Sequence, residues 1–215
     1  MSKVGFIGLG IMGKPMVTNL YKAGKEVIVN DVNEEIAHQL EKESNGLVKF
    51  ADKETMGREC DVVMCILPTA DIVDSVLFGE GGVALTMKEG SVFVDFSSET
   101  AAQSKDHAEK LAKYGVKFLD APVSGGEPGA VNGTLSIMVG GEEEVFNKVK
   151  PYFDILGGSS VLIGGTGSGS VTKLVNQAIV NLNIAVVGEA FTFAAKAGVD
   201  INTDVANDSD TAAKS

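Results

Sequence analysis

The sequence predicts an α/β fold: a doubly wound, mostly parallel sheet followed by one long helix. Three observations carry this. A short apolar run, Val4 to Ile7, enters a glycine-rich turn and then apolar residues at helical spacing, Met12, Met16, Val17 and Leu20. Strand-like and helix-like stretches then alternate regularly as far as Ile163, the pattern of βαβ units. Finally, a stretch from about Ser170 to Ala197 is apolar on every helical face, which does not suit a free surface helix.

The turn reads Gly8-Leu9-Gly10-Ile11-Met12-Gly13. In a strand-turn-helix setting the first glycine permits the tight turn, the second lets a pyrophosphate approach the backbone, and the third lets helix and strand pack closely. The helix start offers unpaired N–H groups and a positive dipole end to phosphates. The next strand, Glu26 to Asn30, ends in Asp31, eighteen residues beyond Gly13 and close to where a ribose-binding carboxylate is expected. Strand, turn, helix, strand and acid in that order predict a Rossmann-type dinucleotide site at Gly8 to Gly13 and Asp31. Asp31 can accept both ribose hydroxyls and repels a 2′-phosphate, and Val32 supplies no guanidinium, so NAD is expected ahead of NADP.

Asn33 is the expected N-cap of a helix to about Glu43. A weaker strand at Leu47 to Ala51, a short helix at Glu54 to Gly57 and a buried strand at Asp61 to Leu67 follow, stopped by Pro68-Thr69 before a helix to Phe78. After a glycine loop comes the strand Ser91 to Phe96, then a helix from about Glu99 to Tyr114, with Gly115 as its stop and Val116 to Leu119 as the next strand. Ligands of such sheets bind outside the carboxyl ends of the strands, where Leu67-Pro68 and Ser97-Ser98 fall. Ser97 and Ser98 can cap the helix near Glu99, and a strand-end hydroxyl can also face a nicotinamide.

The stretch Asp120 to Ala130 reads either as a plain loop or as a carboxylate nest, because Ser124-Gly125-Gly126 exposes backbone N–H groups in succession. Thr134 to Val139 is expected as a strand, Glu142 to Leu156 as a helix and Ser160 to Ile163 as the last strand. On the long helix Lys173 and Asn176 share a face. Lys173 is read either as a snorkelling side chain or as a functional amine at a packed interface.

Of 215 residues, 44% are hydrophobic and 22% charged, enough to bury a core. The net charge of −11 repels nucleic acid and anionic lipid. Cys60 and Cys65 are expected as buried thiols in a reducing compartment, and His38 and His107, on polar helices, as solvated, so no metal site and no histidine acid–base chemistry is expected. No signal peptide and no eighteen-residue apolar span is read, giving an expectation of a cytoplasmic protein with no membrane partner.

Three stretches together resemble the β-hydroxyacid dehydrogenase family: Gly5 to Met16, Asp120 to Gly126, and Gly167-Ser168-Gly169-Ser170-Val171-Thr172-Lys173-Leu174-Val175-Asn176-Gln177. The wording Gly125-Gly126-Glu127-Pro128 with Gly133-Thr134-Leu135-Ser136 most resembles the branch that reduces tartronate semialdehyde, with the 3-hydroxyisobutyrate and the glyoxylate/succinic semialdehyde branches as alternatives. The resemblance implies an NAD(P)-dependent oxidoreductase acting on a small anionic hydroxyacid or semialdehyde. By it Lys173 would be catalytic, Asn176 would orient the substrate, and Ser124, Gly125 and Gly126 would cradle its carboxylate. Leu67 and Pro68 would border the cofactor, and Ser98 would lie near the nicotinamide.

The resemblance divides the chain into a dinucleotide-binding domain at 1–164, a long interdomain helix at 165–198 and a polar tail at 199–215. Family members continue into an all-α domain that the tail does not resemble. Two expectations follow. The apolar helix should associate with a second copy, and the chain should be either an active reductase or a dinucleotide-binding fragment with little turnover.

Overall fold

The computed structural model describes residues 3–200. Its strands are β1 (Val4–Ile7), β2 (Val27–Asn30), β3 (Val48–Phe50), β4 (Val62–Cys65), β5 (Val92–Asp95), β6 (Lys117–Asp120), β7 (Val123–Ser124), β8 (Leu135–Gly140) and β9 (Gly157–Gly164). The helices are α1 (Gly13–Lys22), α2 (Glu34–Glu43), α3 (Lys53–Glu59), α4 (Ala70–Phe78), α5 (Ala101–Ala112), α6 (Gly126–Asn132), α7 (Glu143–Leu156) and α8 (Ser168–Lys196). The chain divides into two compact units, Met1–Lys173 and Leu174–Ser215.

In the first unit the described strands form one sheet in the order β3-β2-β1-β4-β5-β6-β8-β7, with β9 also paired to β8. From β3 to β6 every pairing is parallel. β8 then runs antiparallel to β6 and β7, so the sheet is mostly rather than wholly parallel. Every residue of β1, β4 and β5 is buried, as expected for strands covered on both faces. On one face Phe6, Val29, Met64 and Val94 pack with Met16 and Leu20 of α1, Leu40 of α2, and Val149 and Phe153 of α7. On the other, Ile7, Val63 and Phe93 meet Met56 of α3, Val73 and Leu77 of α4, and Leu111 of α5.

The parallel register brings the strand ends level. Asn30, Ile7, Cys65, Asp95 and Asp120 pair successively into one row across β2-β1-β4-β5-β6. The segments that follow these residues emerge from one edge of the sheet, and all five lead to candidate site residues: Asp31, Gly8, Leu67, Ser98 and, beyond Asp120, Ser124 to Gly126.

Three local expectations are corrected. The stretch after Asp120 is not a plain loop, because it forms the short strand β7 and the helix α6. Ser97 and Ser98 do not cap α5; Thr100 does, in a capping box with Gln103. His107 is not solvated: only 2% of its surface is exposed, because it lies on the side of α5 that faces the sheet. His38 is exposed, and Cys60 and Cys65 are buried free thiols. Burial pushes the Cys60 thiol up to about 12 and Cys65 well above its ordinary value.

In the second unit α8 continues to Lys196 with apolar residues exposed on all sides, among them Ile179, Leu182, Ile184, Val186 and Phe193. This helix is long and apolar enough, by length and composition, to cross a membrane, with a mean hydropathy of 1.6 over an eighteen-residue window. That corrects the expectation of no such span. Asn181 and Asn183 interrupt the run, but their apolar neighbours outweigh them over the window. The sequence-read tail lies outside the described residues from 201 onward.

Candidate active site

The glycine turn is built by three different constraints. Gly8 has φ +93°, and a Cβ there would lie 2.3 Å from the carbonyl oxygen of Ile66; one on Gly13 would lie 1.8 Å from that of Gly8. Both positions are closed to any side chain. Gly10 is exposed, and a Cβ on it would meet nothing within 4 Å, so its backbone is open to a ligand. No side chain caps α1 at Met12; the Lys14 amide donates to the Gly10 carbonyl at 3.1 Å and Pro15 carries no N–H, so what α1 offers an anion is chiefly its positive dipole end. These features fit a dinucleotide pyrophosphate. Leu9 is buried, Ile11 exposed and Met12 half-buried.

Asp31 follows β2 and closes back on the turn. Its Oδ2 accepts from the Leu9 amide at 2.5 Å and its Oδ1 from the Asn33 amide at 2.7 Å. Val32 beside it is fully exposed. The carboxylate thus orders the turn while its remaining lone pairs stay available for hydroxyls.

Beyond β4, Leu67 is half-buried and Pro68 exposed. The Leu67 amide donates to Ser97 Oγ at 2.9 Å, so the segments after β4 and β5 are bonded to each other. Ser98, next in the chain, is exposed.

Ser124 ends β7 and is half-buried, and Gly125 and Gly126 are exposed at the start of α6 with φ +129° and +59°. Neither glycine carries a side chain that would cover its N–H group, so both backbones are accessible to a small anion. α6 is bonded to α1 through Asn19 Nδ2, which donates to the Ala130 carbonyl at 2.8 Å. A cavity of about 510 Å³ beside the glycine turn is lined by Gly10, Ile11 and Lys14 and by Glu127 and Val131 of α6.

Asp120, the last residue of β6, is fully buried. Its Oδ1 accepts from the Gly167 amide at 2.7 Å and its Oδ2 from the Ser170 amide at 2.9 Å. This carboxylate seats the first turn of α8 at the same edge of the sheet as the glycine turn. The sequence reading placed Asp120 in a motif but missed this role. The glycines around it were the available signal: a Cβ on Gly140 would lie 2.5 Å from Asp120 Oδ1, and one on Gly169 would lie 2.3 Å from the Met138 carbonyl oxygen.

Lys173 lies one turn beyond Ser170 and is half-buried. Burial lowers its pKa below the ordinary lysine value. Among the described residues no carboxylate lies within ion-pair distance of its amine. Asn176, three residues on, belongs to the second unit.

With this geometry in hand, the comparisons are specific. Residues 3–165 match the family described as the NAD binding domain of 6-phosphogluconate dehydrogenase, and residues 167–215 the one described as NAD-binding of NADP-dependent 3-hydroxyisobutyrate dehydrogenase. The chain is 46% identical to 2-hydroxy-3-oxopropionate reductase of Escherichia coli, over 92% of this chain and 67% of that one. It is 39% identical to 2-(hydroxymethyl)glutarate dehydrogenase of Eubacterium barkeri, over 94% and 66%. It superposes on Mycobacterium tuberculosis 3-hydroxyisobutyrate dehydrogenase solved with L-serine at a TM-score of 0.84 and 30% identity, covering 94% of this chain and 67% of that one. The fold and the turn define a nicotinamide-dinucleotide-binding domain. The chain belongs to the β-hydroxyacid dehydrogenase family, and it spans about two thirds of the length of these relatives.

Proposed function

We propose that the chain is the catalytic part of a reductase for a small carboxylate-bearing semialdehyde of the tartronate type, yielding the hydroxyacid, with NADH preferred to NADPH. The observation that supports this is the buried Asp120 carboxylate at the end of β6, which accepts the Gly167 and Ser170 amides at the start of the helix that bears Lys173.

The cofactor supplies a hydride from its nicotinamide when bound. Gly10 and the dipole end of α1 would hold the pyrophosphate, Asp31 the ribose hydroxyls, and Leu67, Pro68 and Ser98 would border the nicotinamide half. The Ser124-Gly125-Gly126 amides hold the substrate carboxylate, and Asn176 orients the substrate. Lys173 as ammonium hydrogen-bonds the aldehyde oxygen and gives it a proton as the carbon takes the hydride, ending as a neutral amine. In oxidation the neutral amine is the base, and the lowered pKa raises its share. Self-association through the exposed apolar residues of α8 belongs to the same reading, and sedimentation as a monomer at micromolar concentration would remove it.

The test is NADH consumption with tartronate semialdehyde, glyoxylate, succinic semialdehyde and methylmalonate semialdehyde, each repeated with NADPH. Turnover highest with tartronate semialdehyde, and lost in Lys173→Ala, is expected. NADH binding without turnover on any member would make the chain a dinucleotide-binding domain alone.

A further inference from the structure

The most unusual group of side chains lies at the end of β5 and on α5, next to the Ser97-Ser98 segment. Asp95 ends β5, Glu99 lies in the connection to α5, and His107 lies on α5. All three are buried, and one ligand-type atom from each lies within 4.8 Å of the other two.

Their hydrogen bonding is incomplete. Asp95 Oδ1 is satisfied by the Ser97 amide at 2.8 Å and by Cys65 Sγ at 3.2 Å. Asp95 Oδ2, both Glu99 oxygens and His107 Nδ1 have no hydrogen-bond partner. Nδ1 lies 3.2 Å from Glu99 Oε2, close enough for an ion pair but outside hydrogen-bond geometry. Unsatisfied polar atoms in a buried site cost free energy, and two buried carboxylates repel each other.

One cation among them removes both costs. Two carboxylates and a neutral imidazole around a divalent ion sum to zero charge. Nδ1 faces Glu99, while Nε2 lies 3.9 Å from the Asp74 carboxylate. At that distance Asp74 does not hydrogen-bond the ring, and the same oxygen takes the Lys110 amine at 2.6 Å. Asp74 is partly exposed, so the cluster is one side chain away from solvent. Two carboxylate oxygens and one imidazole nitrogen suit zinc or manganese, with water completing the coordination.

We propose that Asp95, Glu99 and His107 form a structural site for a divalent transition metal of the zinc type. The ion would tie the end of β5 to α5 and fix the segment Phe96 to Thr100 between them. That segment includes Ser97, whose hydroxyl holds the Leu67 amide.

The 215-residue chain, stripped with chelator, is titrated with Zn2+ and separately with Mn2+ by calorimetry, and NADH binding is measured in parallel. One equivalent of Zn2+ should bind and raise the melting temperature by roughly 5–10 °C at about a hundredfold excess over its dissociation constant. Glu99→Gln and His107→Gln, checked for folding by circular dichroism, should each weaken this binding by at least about tenfold. Co2+ loaded into the parent chain should give the intense visible absorption of a four-coordinate site, a readout that needs no variant. Absence of stoichiometric binding, a Co2+ spectrum of the hydrated ion, or unchanged Zn2+ affinity in a folded variant would each overturn the proposal. Loss of NADH binding by the parent chain would count against the proposed function and not against the metal.

Discussion

Asp120 and Ser170 are fifty residues apart in sequence and 2.9 Å apart in space, joined by a buried bond from the Ser170 amide to the Asp120 carboxylate. The same carboxylate also receives the Gly167 amide. Asp120→Ala leaves two buried amides without an acceptor and should cost about 2–4 kcal/mol in urea unfolding. Asp120→Asn should fare little better, because its amide nitrogen would confront one N–H with another donor. Both should lose reductase activity more steeply than NADH affinity, since α8 carries Lys173 while Asp31 and the glycine turn are untouched.

The three turn glycines should separate fold from ligand. Gly13→Ala drives a methyl into the Gly8 carbonyl and should destabilise the chain by about 3 kcal/mol or more. Gly10→Ala meets empty space, so its stability should stay within about 0.5 kcal/mol. NADH affinity in that variant should nonetheless fall at least about tenfold, because the methyl stands where the pyrophosphate would approach. Thermal melts and NADH fluorescence titration check the two outcomes independently.

Asp31→Ala should narrow the preference for NADH over NADPH by about tenfold, ~1.4 kcal/mol, by removing the repulsion of a 2′-phosphate. It should also lower stability by about 1–2 kcal/mol, because the Leu9 and Asn33 amides lose their acceptor. Paired titrations with both cofactors and a melting curve measure these effects; an unchanged ratio would remove Asp31 from the ribose site.

Lys173 gives a pH signature with opposite signs in the two directions. Burial lowers its pKa, so the neutral base is reached at lower pH than for an ordinary lysine. Hydroxyacid oxidation should rise with pH through that lowered value, and aldehyde reduction, which needs the ammonium, should fall over the same range. Lys173→Ala should lose about 100-fold or more in kcat and flatten both profiles.

The sheet was legible because its central strands are buried on both faces and read as apolar runs, and because the glycine turn has one structural meaning between a strand and a helix. Asn33, Gly115 and the glycine turn declared themselves locally. His107 was misread for the opposite reason. Its neighbours Lys105, Asp106, Glu109 and Lys110 are polar, and the one apolar marker of its face, Leu111 four residues on, was outweighed by them. The two hydrogen bonds that Asp120 accepts from the start of α8 were equally hidden, since nothing in a linear string reports a contact across fifty residues. α6 escaped notice because Gly126, Pro128 and Gly129 are poor helix formers, held helical here by packing against α1.

The bond from Asn19 to the Ala130 carbonyl fastens the helix behind the phosphate turn to the helix behind the Ser-Gly-Gly turn. Two platforms bolted together in this way form a single jig: under the proposed function, the spacing between a nucleotide and a second guest would be set when the chain folds, not when either one arrives.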